Sequence, residues 1–380
     1  MKTERAPVAA ELTWSEVNAW RLARHHLDQP APKSKLADVV GDIGAVQAQV
    51  MSAAELQIAV RCDCTTQDVR DALWKNRTLV KTWLMRGTLH LARATDLPVF
   101  TAAMGKRWIK INNAWLKFFN VTEAEVWQLS DDIGAALDDT PKTREQVIDA
   151  VAKGRADRIK EALRSGWGGM LKPPARNGRL CFGPSRGQTV TFVSPSRWLG
   201  AWRDVDAEQA LVEMARRYIH TFGPANKDDF TYWWGNWSGV GVAAWAGLRD
   251  ELVPVDVEGW RAHVLRDDLR RIASTKAPAT RVQLLPNFDT YLLGHAKRDH
   301  LFDRVHSPKV SRTAGWISPV ILVDGRVEGV WAYTVSRQRL KVELTPFAKL
   351  KPKTIGEAKA RAEAIAQSMG ATLDSVTVAG

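Results

Sequence analysis

The feature that most constrains the fold is an order of helices followed by a strand hairpin, predicted three times along this chain of 380 residues. Capping boxes open the first two sets, with a Thr side chain and a Glu or Gln three residues later binding each other's backbone N–H groups. The three sets run from Thr13 to Leu91, from Thr143 to Val193 and from Asp206 to Leu265. Three helices and a small hairpin form the order of a winged helix, and the irregular spacing favours a repeated module over a solenoid.

A β-rich region follows the third set, starting near Gln283. The pair Asp324-Gly325 separates two apolar runs and predicts a tight hairpin turn. A last helix is predicted over Gly356–Met369 and a last strand over Ser375–Val378. The fold class is therefore α+β. The predicted domains are a first winged helix over 11–97, a helical connector over 98–140, a second winged helix over 141–203, a third over 204–278 and a β-rich domain over 279–380.

The connector carries a helical pattern of apolar residues. Over residues 98–120 this pattern predicts one long helix, with Trp108, Ile111, Trp115 and Phe118 facing inward. Three lysines, Lys106, Lys110 and Lys117, then face solvent. The acidic segment after Thr122 is predicted to be a solvated helix away from any nucleic acid.

Charge indicates the class of partner. The net charge of +12 and a pI near 9.7 favour a polyanion, with nucleic acid ahead of a membrane surface. No acidic residue occurs from Ala162 to Arg203, which suits a wing and its preceding helix lying along phosphates, although chance on a basic protein is the alternative. The basic residues of that stretch are Arg164, Lys172, Arg176, Arg179, Arg186, Arg197 and Arg203.

A second basic segment is the long loop predicted over Gly294–Gly315. Its length and charge favour a functional element over a connector. It contains five cationic side chains and three histidines, namely Lys297, Arg298, Arg304, Lys309, Arg312, His295, His300 and His306.

Several classes of protein are disfavoured by the composition. No apolar run approaches the roughly 18–20 residues of a membrane span, and the N-terminus leads into no signal-peptide core. Three cysteines cannot form a disulfide framework, and Cys62 and Cys64 lack the second ligand pair of a zinc site. The protein is therefore predicted to be soluble and cytoplasmic, in association with the nucleoid.

The segment Gly41–Gln49 places two glutamines among small apolar residues. A buried amide must find hydrogen-bond partners, so this pair indicates a polar site in an apolar wall. On a regular helix Gln47 and Gln49 would diverge by about 200°, whereas an extended segment would put them on one side. Two solvent-facing amides on an ordinary helix are the alternative.

Three motifs carry a resemblance to a known family. In combination they resemble the AlkZ-like winged-helix DNA glycosylases, which include the bacterial YcaQ proteins. The resemblance covers nearly all of the chain, since its motifs extend from residue 44 to residue 299. The motifs are Gly44-Ala45-Val46-Gln47-Ala48-Gln49, Arg86-Gly87-Thr88-Leu89-His90-Leu91, and Leu284-Leu285-Pro286-Asn287-Phe288-Asp289-Thr290-Tyr291-Leu292-Leu293-Gly294 followed by Arg298-Asp299.

The resemblance implies both a fold and an activity. The fold is three tandem winged helices in a concave arrangement with a β-rich C-terminal region. The catalytic signature, Gln–apolar–Gln, falls on Gln47, Ala48 and Gln49. Family members remove N7-alkylated purines from double-stranded DNA, including bulky adducts, and some unhook interstrand crosslinks, in DNA repair or genotoxin self-resistance. A monomer acting on alkylated DNA is therefore expected, with a DNA-probing hairpin near the loop Gly294–Gly315.

The chemistry of these residues agrees with the implied activity. An N7-alkylated purine already carries positive charge and leaves without protonation, so the enzyme needs only to place a water and stabilise the oxocarbenium-like sugar. Amide oxygens can do both without a metal or an organic cofactor. His90 and Asp289 are possible active-site neighbours, with a satisfied structural histidine and a turn or cap as their alternatives. The predicted DNA-binding residues are Arg176, Arg179, Arg186, Lys297, Arg298, Arg304, Lys309 and Arg312.

Two other functions fit parts of the same pattern. A winged-helix transcriptional regulator explains the modules and the charge, and would show itself as a symmetric dimer with operator preference. A non-catalytic damage-binding protein predicts affinity for lesions without excision. Release of free base from alkylated DNA distinguishes the glycosylase from both.

Overall fold

A computed structural model of the chain describes residues 7–105, 111–166, 168–200, 202–276 and 282–379. The chain forms two units, each assembled from separated segments. Unit 1 comprises Met1–Arg70, Ala215–Trp233 and Gly241–Gly380, and unit 2 comprises Asp71–Met214 and Trp234–Val240. Helices and strands occur in both, so the fold is mixed α/β. The predicted five-part division differs from this one, because its modules over 11–97 and 204–278 each have residues in both units, and it stays a prediction.

The helices follow the sequence patterns closely at most positions. Of the helices in the described ranges, none is both long and apolar enough to cross a membrane. In chain order they are α1 Trp14–Arg24, α2 Leu36–Asp42, α3 Met51–Ala59, α4 Thr66–Trp74, α5 Leu97–Ala103, α6 Asn113–Phe119, α7 Glu123–Ala136, α8 Arg144–Val151, α9 Asp157–Arg164, α10 Lys172–Arg176, α11 Pro195–Trp198, α12 Ala207–Phe222, α13 Lys227–Trp234, α14 Val240–Gly247, α15 Arg266–Ser274, α16 Thr290–Leu293, α17 Ser307–Val310 and α18 Pro352–Ser368.

The strands confirm the predicted hairpins. Each pair predicted near residues 79–91, 178–193, 252–265 and 317–335 is antiparallel. In chain order the strands are β1 Ala10–Leu12, β2 Val46–Gln47, β3 Leu79–Trp83, β4 Leu89–Arg93, β5 Lys142–Thr143, β6 Cys181–Arg186, β7 Thr189–Val193, β8 Leu252–Val257, β9 Trp260–Leu265, β10 Val282–Leu285, β11 Val320–Val323, β12 Arg326–Ser336, β13 Arg339–Pro346 and β14 Thr372–Val378.

Unit 1 contains two sheets. In the smaller one β1 pairs in parallel with β8, which pairs antiparallel with β9. The larger sheet has the order β10-β11-β12-β13-β14, antiparallel except for the parallel last pair. Ala362 and Ile365 of α18 pack with Trp331 and Leu340 of this sheet to form one of the buried cores. The covering helix therefore supports the long hairpin β12–β13 as far as Leu340, which lies next to the turn of the hairpin.

Unit 2 has its own core, built from helices and two hairpins. Strands β3 and β4 pair in the register Lys81 to Leu91, and β7 lies between β5 and β6. Trp83 packs against Phe182 with ring centroids 4.8 Å apart, and both contact a core that includes Ile133 of α7. Aromatic packing of this kind joins the first predicted hairpin to the second within one hydrophobic core.

Capping boxes mark helix starts in both units, as predicted. Glu16 accepts the backbone N–H of Thr13 at 2.7 Å and opens α1. Glu125 accepts that of Thr122 at 2.8 Å and opens α7. The equivalent pair at the start of α8 is Thr143 with Gln146.

The single long helix predicted over residues 98–120 is wrong. Helix α5 ends at Ala103, and α6 begins only after Asn112, whose side chain accepts the Trp115 backbone N–H at 2.7 Å. An asparagine that caps a new helix competes with continuation of the old one. Phe118, predicted to face inward, is 79% exposed. Lys106, Trp108 and Lys110 lie outside the described residues.

Candidate active site

The glutamine motif follows a helix end that reverses the chain direction. Helix α2 stops at Asp42, and Gly44 adopts a left-handed φ of +70°. The Gly44 N–H donates to Gly41 at 3.1 Å and the Ala45 N–H to Val40 at 3.0 Å, which together make a Schellman motif. A Cβ on Gly44 would lie 3.1 Å from the Trp233 ring. Glycine is required here by both its backbone angle and the space available.

Gln47 and Gln49 lie in the non-helical segment between α2 and α3, as the glycines indicated. Gln47 belongs to the two-residue strand β2 and is 8% exposed, while Gln49 sits at a bend and is exposed. Neither residue lies in a helix, and the strand β2 includes only the first of them. The helical alternative for this pair is therefore wrong. That the two amides line one cleft stays a prediction.

A third glutamine, Gln57 of α3, connects this segment to the Asn-Phe-Asp motif. It is fully buried, and its amide nitrogen donates to the Asn287 carbonyl at 3.2 Å and, more weakly, to the Gln47 carbonyl at 3.5 Å. Its amide oxygen accepts the Thr290 N–H at 3.3 Å. Gln57 thus joins two motifs more than 200 residues apart in the sequence. Sequence reasoning missed it, although an amide inside the apolar run of α3 was a usable signal.

Asp289 is linked to Gln57 through Arg61. Its two carboxylate oxygens accept from the Arg61 guanidinium at 2.7 and 2.9 Å, and both side chains are fully buried. The Asp289 carboxylate also accepts the Tyr291 N–H at 2.9 Å and caps α16. Arg61 in turn donates to the Gln57 carbonyl at 2.9 Å. The capping alternative describes this placement, because the carboxylate is fully occupied by structural partners.

His90 belongs to unit 2, in strand β4. Its Nδ1 lies 2.9 Å from the Thr88 carbonyl and its Nε2 lies 3.5 Å from the Arg86 guanidinium. Because Arg86 can only donate, Nε2 accepts and Nδ1 donates. Burial lowers the pKa of His90 to about 3, with the positive charge of Arg86 adding to the effect. The ring is thus neutral with both nitrogens engaged, the arrangement of a satisfied structural histidine.

The basic loop after Gly294 contains cations of two kinds. Arg298 donates to Ser311 and Tyr232 at 2.8 and 3.0 Å, and Arg304 forms a two-pronged ion pair with Asp299. The Lys309 ammonium lies 5.7 Å from the Phe347 ring centroid. The exposed side chains of Lys297 and Arg312 form no ion pair within the described ranges. These two are the loop's best-placed candidates for phosphate contacts.

His295, in the same loop, is a core residue. It is buried, and its Nε2 lies 2.9 Å from an Nη of Arg21. Burial holds the pKa of His295 well below its usual range, and the charge of Arg21 lowers it further. His300 stacks on Trp14 with centroids 4.9 Å apart. The start of the loop is thus anchored in the interior of unit 1.

The three arginines of unit 2 that the sequence predicts to bind DNA differ in their surroundings. Arg179 lies 3.6 Å from Asp131, and Arg186 is exposed and donates to the Pro141 carbonyl at 2.6 Å. Arg176 is partly buried, with its guanidinium 5.2 Å from the Trp237 ring centroid. Within the ranges described, no group of three or more His, Cys, Asp or Glu side chains is arranged to hold a metal ion.

The comparisons with known proteins agree with these motifs. The model of the AlkZ-like DNA glycosylase family matches residues 40–372. The interstrand DNA cross-link repair glycosylase of Streptomyces sahachiroi is 38% identical over 342 residues, covering 88% of this chain and 91% of that protein. The solved structure of the S. sahachiroi DNA glycosylase AlkZ superposes with a TM-score of 0.86 at 34% identity, covering 97% of this chain and all of that one. This chain belongs to the AlkZ-like family and is a DNA glycosylase.

Proposed function

We propose that this glycosylase hydrolyses the N-glycosidic bond of cationic N7-alkylated purines in double-stranded DNA, with Gln47 and Gln49 as its catalytic residues. The observation that carries the proposal is the extended, helix-flanked segment that holds Gln47 almost buried beside an exposed Gln49. The name of the S. sahachiroi relative, a cross-link repair glycosylase, supports interstrand crosslinks as a further substrate.

The mechanism needs little from the protein beyond placement. The positive charge on an N7-alkylated purine makes it a good leaving group, so no general acid is required. The two amide oxygens orient a water and face the positive charge that develops on the sugar, acting as fixed dipoles in a partly desolvated site. Undamaged purines lack the charge and are poor substrates. Gln57, held by the Asn287 and Thr290 backbone, acts as a positioning residue for the segment of Gln47.

The same proposal includes how DNA is held. Each set of helices followed by a hairpin acts as a winged helix, and the three modules form a concave surface that a monomer uses to bind a duplex. Arg179 and Arg186 contact phosphates from the second wing, and Lys297 and Arg312 from the basic loop. The hairpin order of the strands supports the modules, and the positive net charge supports the polyanionic substrate.

The test is release of free base from a duplex that contains one N7-alkylguanine. Gln47→Ala and Gln49→Ala should each slow excision by about 100-fold, the effect of losing one positioned transition-state contact, with little change in DNA affinity. Gln209→Ala, at an exposed glutamine in the first turn of α12, is the matched control and should excise at the wild-type rate.

Each alternative predicts a different result. If wild-type protein binds lesions without releasing base, it is a damage-binding protein and the catalytic assignment fails. If the two variants excise normally, the reaction belongs to other residues. A symmetric dimer with operator preference and no excision would identify a regulator.

A further inference from the structure

A guanidinium in unit 2 is enclosed by its own neighbours. Arg176, the last residue of α10, lies over the Trp237 ring at 5.2 Å. Gly87, at the turn between β3 and β4, has a φ of +66°, and a Cβ there would be only 2.7 Å from an Nη of Arg176. The glycine therefore leaves the space that the guanidinium occupies. Arg176 is held in one place by an aromatic face and a side-chain-free turn.

This guanidinium has no counter-charge. Among the described residues Arg176 forms neither a hydrogen bond nor an ion pair, and its Nε is buried without a partner. Burial lowers the pKa of Arg176 to about 10. Lys172, one turn earlier in α10, is half-buried, and its pKa is lowered by burial and then by the charge of Arg176. Two cations thus share a partly desolvated site to which no described residue contributes an acid.

Such an arrangement is unfavourable unless something compensates it. Desolvated charges without partners destabilise a folded protein, and native structures normally pair them. Partly buried arginines of unit 2 follow that rule, since Arg144 donates to the Leu163 carbonyl at 3.0 Å and Arg155 pairs with Asp132. A cation kept unpaired while its neighbours are paired is typical of a binding site that costs some stability.

We propose that Arg176 and Lys172 form a preformed site for one phosphate of the DNA backbone. The inference rests on the proposed function for its ligand, because DNA is the substrate that supplies phosphodiesters. A planar guanidinium presents two parallel N–H groups that match two phosphate oxygens, and the lysine ammonium adds a second positive charge. Trp237 keeps the guanidinium plane fixed, so little side-chain freedom is lost on binding.

The experiment measures affinity of the full chain for an undamaged duplex over a series of salt concentrations. Arg176→Met should weaken binding about 10-fold at low salt and reduce the slope of log K against log salt by about one, the effect of one lost phosphate contact. Arg176→Lys should keep most of the slope but bind more weakly, since it keeps the charge without the two-pronged geometry. Arg158→Met, which removes a cation already paired with Glu125 and lies outside the acid-free stretch, is the matched control and should keep the wild-type slope.

Thermal unfolding of the same variants separates binding from packing. Arg176→Met should unfold at the same temperature as the wild type or higher, because an unpaired charge has been removed. A lower unfolding temperature with an unchanged salt slope would overturn the proposal and make Arg176 a packing residue. If inorganic phosphate stabilises the wild type but not Arg176→Met, while the salt slopes agree, the ligand is free phosphate and the assignment to DNA is overturned.

Base release from the N7-alkylguanine duplex keeps this inference apart from the proposed function. Loss of the salt slope in Arg176→Met supports the phosphate site even if the wild-type protein releases no base. If the wild type releases base and the salt slope of Arg176→Met is unchanged, the phosphate site at Arg176 is overturned and the proposed function stands.

Discussion

Two desolvated guanidinium groups, those of the fully buried Arg61 in unit 1 and the partly buried Arg176 in unit 2, have opposite surroundings. Arg61 is fully buried and meets both oxygens of an equally buried Asp289. Arg176 is enclosed by Trp237 and the Gly87 turn, and no acidic side chain of the described residues pairs with it. Both are expensive to desolvate, but only the first is compensated within the chain.

The paired charge is structural, whereas the unpaired one is the candidate for a binding role. The Arg61–Asp289 pair holds α3 against the α16 turn and supports the segment of Gln47 through Gln57. It therefore acts on the reaction only through other residues. Arg176 has no acidic partner among the described residues, and we propose that a DNA phosphate is its partner.

The largest effect is expected from breaking the paired charge. Asp289→Asn leaves Arg61 buried without a counter-ion and should lower the free energy of unfolding by about 3–5 kcal/mol. The double variant Arg61→Met with Asp289→Asn should recover more than half of this loss. Urea unfolding measures both. Asp303→Asn, which breaks an exposed pair with Arg326, is the control and should cost less than about 1 kcal/mol. Equal losses from Asp289→Asn and Asp303→Asn would contradict the structural role.

Acid should destabilise unit 1 more than unit 2. In unit 1 burial lowers the pKa of His25 and His295 well below the usual range, that of His300 to about 2, and that of His263, whereas in unit 2 it lowers the pKa of His90 to about 3. These histidines stay neutral when folded and bind protons when unfolded, so stability is lost as pH falls below about 6.5. Each contributes up to about 1.4 kcal/mol per pH unit.

Hydrogen exchange, corrected for the intrinsic rate at each pH, measures the two units separately. Between pH 6.5 and 5.5 the loss of protection in unit 1 should be several times that in unit 2, because unit 1 has four such histidines and the described part of unit 2 has one. The raised pKa of Asp229, caused by burial, offsets part of the loss in unit 1. His300→Gln should reduce the pH dependence of unit 1, and an unchanged dependence would show that His300 is protonated in the folded state.

A smaller effect is expected from the positioning residue. Gln57→Met keeps the volume but leaves the Thr290 N–H without its acceptor, so the free energy of unfolding should fall by about 1–3 kcal/mol. Excision should slow through kcat with little change in KM, since the Gln47 segment loses its support. Gln128→Met, at an exposed glutamine of α7 bonded to Asp132, is the control and should change neither quantity. A rise in KM with an unchanged kcat would instead place Gln57 in substrate binding.

The smallest effect concerns the basic loop. Lys297→Gln removes an exposed cation without an ion pair and should lower the salt slope of DNA binding by about one. Arg304→Gln removes a cation already neutralised by Asp299 and should change the slope by less. Equal slopes for the two variants would mean that the ion pair opens on binding or that neither side chain meets DNA.

Much of the fold could be predicted from local signals. Capping boxes at Thr13, Thr122 and Thr143 fixed helix starts, and the Asp324-Gly325 pair fixed a hairpin, because each depends on hydrogen bonds within a few residues. Helix α3 was missed because it is buried on nearly every side and shows little periodicity. The long helix over 98–120 failed because an apolar period continues past an asparagine cap that interrupts the backbone.

The candidate site was predictable only in part. Gln47 and Gln49 stood out because amides are uncommon among small apolar residues. The roles of Gln57, Arg61 and Asp289 depend on contacts between residues more than 200 positions apart, and no local sequence pattern predicts such contacts. That Arg176 forms no ion pair with a described residue was equally unpredictable. A sequence gives the number of acidic residues but not which cations they pair with in the fold.

The left-handed turn at Gly44 has a consequence for how this family's motif tolerates change. Because the turn begins the extended segment, the number of residues between Gly44 and Gln47 decides which side of the strand the first amide occupies. Adding or deleting one residue there would turn Gln47 to the other side of the strand, whereas exchanging Ala48 for another apolar residue would leave that spacing unchanged. The spacing between Gly44 and Gln47 is therefore fixed, and we expect the motif to be more sensitive to an insertion than to a substitution.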